Sequence, residues 1–225
     1  MTATWPSVEG AYVGTGGFSY PSWRPGFYPP DANPRDFLRL YAERLPSVEL
    51  NTVFYRLPAE DQFARWAAQT PPGFRFAVKM TRTITHFGRL EHVGTFCESV
   101  RALGDRLGPI RIQLPENRER DDGLLALLLG SLDPALEYAW ELEHPSWAGV
   151  EGLVRVNDVD ARGPFRYLRL RESPYDDETL RGWGDRLRPL LGEGIRVYAY
   201  FKHEDDPRCA RYAEKLLALL GSASE

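Results

Sequence analysis

Along several short runs of this chain, apolar and polar residues alternate, and between those runs apolar residues recur at helical spacing. In VELNTVFYRLP, residues 48–58, Val48 and Leu50 share one strand face while Glu49 and Asn51 share the other, because strand side chains alternate sides. FRFAVKM sets Phe74, Phe76 and Val78 against Arg75, Ala77 and Lys79. PIRIQLPEN opposes Ile110 and Ile112 to Arg111 and Gln113, and YAWELEHPSW opposes Tyr138, Trp140 and Leu142 to Ala139, Glu141 and Glu143. FRYLRLRE places Phe165, Tyr167, Arg169 and Arg171 opposite Arg166, Leu168 and Leu170. AYVGTGGFSY and GIRVYAYFKHEDDP supply the first and last strands. Helical spacing predicts helices over 59–69, 91–107, 121–132, 176–191 and 207–220, and Asn33-Pro34 caps and opens one through DFLRLYAERL.

Strands that alternate with helices predict parallel βα units. An open doubly wound sheet is covered on both faces, so its strands read as continuous apolar runs. Here several strands have one apolar and one charged face, which predicts an α/β, TIM-barrel-like (β/α) barrel with helices outside and the charged faces inside. The rhythm fails once. The 17 residues from Ala148 to Pro164 are too few for a helix-strand-helix passage, which ordinarily needs about 30. The sixth βα unit is therefore expected to be shortened or missing, with LVRV as its remnant. The reading is of one barrel domain over residues 1–225, with 1–10 as a tail and 148–164 as the shortened connection.

A length of 225 residues with 43% hydrophobic and 27% charged residues suits one sizeable core. The net charge of −4 argues against a duplex-coating role and extended nucleic-acid binding, so an anion site has to be a local basic pocket. Cys97 and Cys209 lack metal-finger spacing and suit free thiols in a reducing compartment, and no run approaches the ~18 apolar residues of a membrane span. A cytoplasmic protein is expected; its oligomeric state is open.

Barrel enzymes hold their reacting groups at the C-terminal ends of strands. That rule selects Lys79, Gln113, Glu143, His144, Arg171, Lys202 and His203, and adds Glu49, Asn51 and Glu141 one layer down. Arg82 and His86 follow Lys79 directly. The deeper Arg111, Glu141 and Arg169 have a plainer reading as a mutually paired mid-barrel network, since buried charges must be paired. Tyr20, Trp23, Phe27 and Tyr28 lie in a proline-rich loop after the first strand, and Tyr55 follows the second; packing on the rim competes with ligand stacking for them. Gly14, Gly16 and Gly17 allow close backbone approach but fit neither phosphate-loop fingerprint.

With those strand ends identified, the chain resembles the YecE-like family, domain of unknown function 72. The segments that carry the likeness are VGTGGFSYPSWRPGFYP, FLRLYAERLPSVELNTVFYRLP, GFRFAVKMTRTITH, LGPIRIQLPEN, LEHPSW, YLRLRE and VYAYFKHEDDP, spanning residues 12 to about 212. The resemblance implies a TIM-barrel-like fold and a shared strand-end pocket, with no settled activity. Glu143 stands where arginine is usual before His-Pro-Ser-Trp, and Arg171 where histidine is common.

Two function classes follow. One is an enzyme, a hydrolase or isomerase acting on a small anionic substrate such as a sugar phosphate or nucleotide fragment. Lys79, Arg82, Arg171 and Lys202 would hold its anion, Tyr20, Trp23, Asn51, Tyr55, Gln113 and His144 would complete the binding surface, and Glu49, Glu141 or Glu143 would work with His86 or His203 in acid-base chemistry. The other is a non-catalytic barrel that binds an anion or the end of a nucleic acid. Glycoside hydrolysis would require Glu49 and Glu141 across a sugar ring. A divalent metal on His86, His144, His203, Glu143 and Asp205 is the weaker option, since no HxH or HExxH spacing is present.

Overall fold

The computed structural model describes residues 3–202 and 206–222. In chain order its elements are β1 (Ala11–Thr15), α1 (Phe37–Arg44), β2 (Ser47–Leu50), α2 (Glu60–Ala68), β3 (Arg75–Lys79), α3 (Arg82–Thr85), α4 (Val93–Val100) and β4 (Leu107–Leu114). Then come α5 (Asp122–Ser131), β5 (Tyr138–Leu142), β6 (Val154–Arg155), β7 (Phe165–Leu170), α6 (Asp177–Gly192), β8 (Arg196–Phe201) and α7 (Arg208–Gly221). The eight strands form one parallel sheet in the order β6-β5-β4-β3-β2-β1-β8-β7, curled into a nearly closed barrel.

The helices begin where side chains satisfy their free N–H groups. Asn33 accepts from the Arg35 N–H ahead of α1, Asp121 from Leu124 at the start of α5, and Asp176 from Thr179 at the start of α6. The sequence read 91–107 as one helix. Instead, a 3-10 turn at Leu90–His92 leads into α4, and a second 3-10 stretch at Arg101–Arg106 carries Gly104 at φ 58, which α-helical geometry does not allow.

Outward-facing Val48, Leu50, Val78, Ile110, Ile112, Trp140, Leu168 and Leu170 are buried in the main core. Inside the barrel a second apolar cluster, Ala77, Ala139, Phe165, Tyr167, Tyr198 and Tyr200, fills the lower half. The short β1–β2 pairing is reinforced by Tyr41 of α1, whose hydroxyl donates to the Ser47 carbonyl and accepts from the Thr15 N–H. Gly14 belongs to that seam: a Cβ there would lie 1.8 Å from the Ser47 oxygen. The loop aromatics Trp23, Phe27 and Tyr28 pack beneath the rim, with Tyr28 stacked on Phe37 at 4.2 Å. In the N-terminal tail, the Thr4 N–H reaches the Glu43 carbonyl and Trp5 packs on Phe74.

The shortened sixth unit is where the sequence placed it. LVRV contributes a two-residue strand, a 3-10 turn at Pro145–Trp147 replaces the helix before it, and no helix lies between β6 and β7. One bridge, Val156 to Tyr167, closes the seam. Asn157, at φ 65, secures it: its N–H donates to the Tyr167 carbonyl at 2.9 Å and its Oδ1 accepts from the Arg169 N–H at 2.7 Å. Cys97 and Cys209 are buried free thiols. Among the described residues no helix is long and apolar enough to cross a membrane.

Candidate functional site

Inside the barrel, above the apolar plug, the side chains of Glu49 of β2, Arg111 of β4, Glu141 of β5 and Arg169 of β7 meet in one bonded network. Glu49 is fully buried, and each of its oxygens accepts two hydrogen bonds. Oε1 takes Arg111 Nε at 2.7 Å and the Tyr167 hydroxyl at 2.7 Å; Oε2 takes Asn51 Nδ2 at 2.9 Å and Arg169 Nε at 3.2 Å. Burial alone would push this carboxyl up, but Arg111 and Arg169, with the Tyr167 and Asn51 hydrogen bonds, hold it well below the ordinary carboxylate range. Glu141 accepts from Arg111 Nη1 and Arg171 Nη2 and pairs with Arg169 at 3.5 Å. Tyr167, buried against these charges, is held as the neutral phenol.

The network changes the roles expected of the carboxylates. Glu49 stays ionised and keeps no lone pair for a proton in transit. The guanidinium of Arg111 bonds both Glu49 and Glu141, filling the space a glycosyl ring would need between them. Paired, structural charges are therefore the reading the geometry supports for Glu49, Arg111, Glu141 and Arg169.

Above them the barrel mouth holds a cavity of about 360 Å³ lined by five cations, Lys79, Arg111, Arg169, Arg171 and Lys202. Tyr20, Asn51, Phe54, Tyr55 and Gln113 complete its wall. Lys79 is half-buried, with its ammonium 3.5 Å from the centroid of the Phe54 ring. Partial burial, then the positive charges of Arg111 and Arg169, bring its amine down to about 8, against the opposing pull of Glu141 and Glu49. Arg171 remains partly exposed, with one of its nitrogens on Glu141.

The other expected residues separate into rim and scaffold. Glu143 is exposed at the rim, where Gln113 Nε2 donates to it at 3.2 Å. Arg82 lies over the exposed Tyr55 ring at 5.6 Å, outside the cavity wall. His86 is engaged by Thr85 Oγ1 through Nδ1 at 2.8 Å and meets Phe54 edge-on at 4.9 Å. Burial, then Lys79, Arg118 and Arg82, push its imidazole below the usual range, so it is neutral and bonds no carboxylate. His144 binds Ser146 through Nδ1 and caps the 3-10 turn at Pro145–Trp147. Trp23 is withdrawn: it is wholly buried among Tyr20, Phe27 and Tyr28, because the proline-rich loop packs its aromatics inward. His203 and Asp205 lie outside the described residues. Among the described residues, no group of three or more His, Cys, Asp and Glu side chains is placed to hold a metal ion.

A second crevice, of about 830 Å³, adjoins the mouth and shares Tyr20, Asn51 and Thr52 with it. It runs between α1 and α2 and is lined by Arg35, Gln62, Arg65, Trp66 and Gln69. Trp66 reads as core from its spacing with Phe63, yet only Phe63 is fully buried. The signal was present: Gln62, Arg65 and Gln69 share the Trp66 side of the helix, and a stripe that polar faces an opening rather than a core.

Residues 12–158 match the family described as "Protein of unknown function DUF72". The chain is 33% identical over 142 residues to the UPF0759 protein YecE of Escherichia coli K12, a stretch covering 60% of this chain and 49% of that protein. It thus spans about half the length of the curated relatives it matches. A DUF72 family protein of Thermotoga maritima superposes with a TM-score of 0.80 at 23% identity, covering 94% of this chain and 99% of the other. One from Enterococcus faecalis does so with a TM-score of 0.78 at 18% identity, covering 96% and 97%. At those identities the two structures establish the barrel fold alone.

Proposed function

Since the chain belongs to the DUF72 family, whose description assigns no reaction, we propose from the site itself that the barrel mouth binds a small organic anion bearing a phosphate or carboxylate group. One observation supports this above the others: five cations line a cavity below which Glu49 and Glu141 are already bonded by arginines. An oxyanion at the mouth would meet these cations through charge-assisted hydrogen bonds. A sugar phosphate or a nucleotide fragment fits the cavity's size, with its uncharged part extending past Tyr20 and Asn51 into the neighbouring crevice.

If the protein is an enzyme, proton transfer falls to Lys79, whose amine burial and the neighbouring arginines bring down to about 8, with His86 behind Phe54 as its neighbour. The arrangement also supports a second reading, a binding barrel without turnover, because the arginines leave Glu49 no proton to exchange.

Calorimetric titration with inorganic phosphate, ribose 5-phosphate and AMP at two salt concentrations tests the proposal. Saturable binding that weakens with salt and falls about tenfold in Arg171→Ala, equivalent to ~1.4 kcal/mol, is the expected result. Equal affinities in the two proteins would remove the mouth from consideration. Turnover of a bound ligand, lost in Lys79→Arg, would decide for the enzyme; binding without turnover would favour the second reading.

A further inference from the structure

The sequence contains 28 Lys and Arg residues, and only three of them are lysines, at 79, 202 and 215. Two of the three, Lys79 and Lys202, line the barrel mouth. An arginine would hold an anion at least as well and cannot lose its proton, so a lysine differs from it chiefly in being able to offer a neutral, nucleophilic amine. The surroundings of Lys79 favour that form. Its amine shares the cavity wall with Arg111 and Arg169, whose charges oppose the ammonium, and no carboxylate among the described residues pairs with it; a neighbouring cation is an established way to activate a lysine toward carbonyls. The Phe54 face beneath it excludes water from one side, although it also favours the ammonium.

We infer that Lys79 forms an imine with the carbonyl carbon of a ligand whose phosphate or carboxylate is held by Arg169, Arg171 and Lys202. The inference rests on the anion-binding reading and narrows the ligand to an aldehyde, ketone or 2-oxo acid carrying an anionic group. The Lys79 ammonium gives up one proton, and its nitrogen lone pair forms the N–C bond as the carbonyl oxygen becomes a hydroxyl. Breaking the C–O bond then releases that oxygen as water with the proton first given up, leaving a protonated imine. No oxidant or reductant takes part. Gln113 lines the same cavity and His86 lies behind Phe54, and neither can form an imine: one is an amide and the other an imidazole whose nitrogens belong to the ring.

Three small aldehydes separate the components of the claim: glyoxylate carries a carboxylate, glycolaldehyde phosphate a phosphate, and glycolaldehyde no charge. Each is incubated with the intact protein and cyanoborohydride, which reduces imines to stable adducts, and the modified lysine is located by peptide mass mapping. Lys215, exposed on α7 and paired with Asp177, is the internal control. At least one anionic aldehyde is expected to label Lys79 about tenfold faster than glycolaldehyde does, the worth of one charge-assisted contact. Whichever anionic aldehyde does so identifies the anion. Labelling should be suppressed by inorganic phosphate and rise with pH through about 8, as burial, Arg111 and Arg169 oppose the ammonium and Glu141 and Glu49 favour it, with Arg171, Lys202 and the neutral His86 the other titratable groups around it. Lys79→Arg should retain thermal stabilisation by phosphate and lose the adduct. Even labelling of Lys79, Lys202 and Lys215, or labelling of Lys202 in preference, would overturn the inference. If phosphate stabilises the protein but Lys79 stays unlabelled, the imine falls and the anion site stands; if phosphate does nothing either, both fall.

Discussion

Glu49 accepts four hydrogen bonds with no access to water, so removing its charge leaves two buried arginines, Arg111 and Arg169, to share the single carboxylate of Glu141. Glu49→Gln should therefore destabilise the fold by about 3–5 kcal/mol, read as a lower urea midpoint with an unchanged slope. Its folded pKa lies below its unfolded value, so its contribution is complete above about 4.5 and is lost as pH falls from there. Lys79 has the opposite charge and its own window. Its folded amine titrates near 8 against 10.5 when unfolded, so between those values the unfolded chain binds more protons and stability rises with pH. Lys79→Met should flatten that rise, which denaturation midpoints taken from pH 8 to 9.5 would show. Alternation alone placed Glu49, Asn51, Lys79, Arg111 and Gln113 on one interior face, because in a strand the face follows from parity. Partners were not legible that way: which oxygen of Glu49 meets Arg111 and which meets Arg169 depends on register across three strands. Trp23 could not be told from a stacking residue, nor His144 from a cap, because a buried loop aromatic and a capping side chain carry the same residue types as a binding site.

Among the elements, the β6–β7 seam is the weak point, held by one bridge and by Asn157. Asn157→Ala keeps neither the Arg169 N–H contact nor an easy left-handed backbone, so a loss of about 1–3 kcal/mol is expected. Asn157→Gly restores the backbone freedom and should cost less. Amide exchange at Arg169 should accelerate in both variants, more in Asn157→Ala; unchanged protection would show that the seam is held from elsewhere. The sequence exposed the missing unit through arithmetic, since 17 residues cannot hold a helix, a strand and their turns. It could not show how the barrel closes without them, because a two-residue strand is too short to display an alternation and the closing residue works through its backbone conformation. The break in the 91–107 helix escaped for a related reason, as Gly104 is tolerated in helical patterns until its φ is known.

At the scale of the whole molecule, a protein of net charge −4 gathers five cations at the C-terminal mouth of its barrel. A basic concavity in an acidic body focuses its field outward and draws in small anions, while the surrounding surface repels long polyanions. The fold was legible because β2, β3, β4, β5 and β7 repeat one rule, apolar outside and charged toward the inner C-terminal end. The crevice beside the mouth was not, since it lies between α1 and α2 and no single segment contains it. Diffraction from crystals soaked in tungstate, a heavy stand-in for phosphate, tests the anion site most directly. The site described here predicts an anomalous peak inside the mouth, with oxygens about 3 Å from the nitrogens of Arg171 and Lys202 and the peak lost in Arg171→Ala. Peaks confined to surface arginines or to the crevice between α1 and α2 would contradict it.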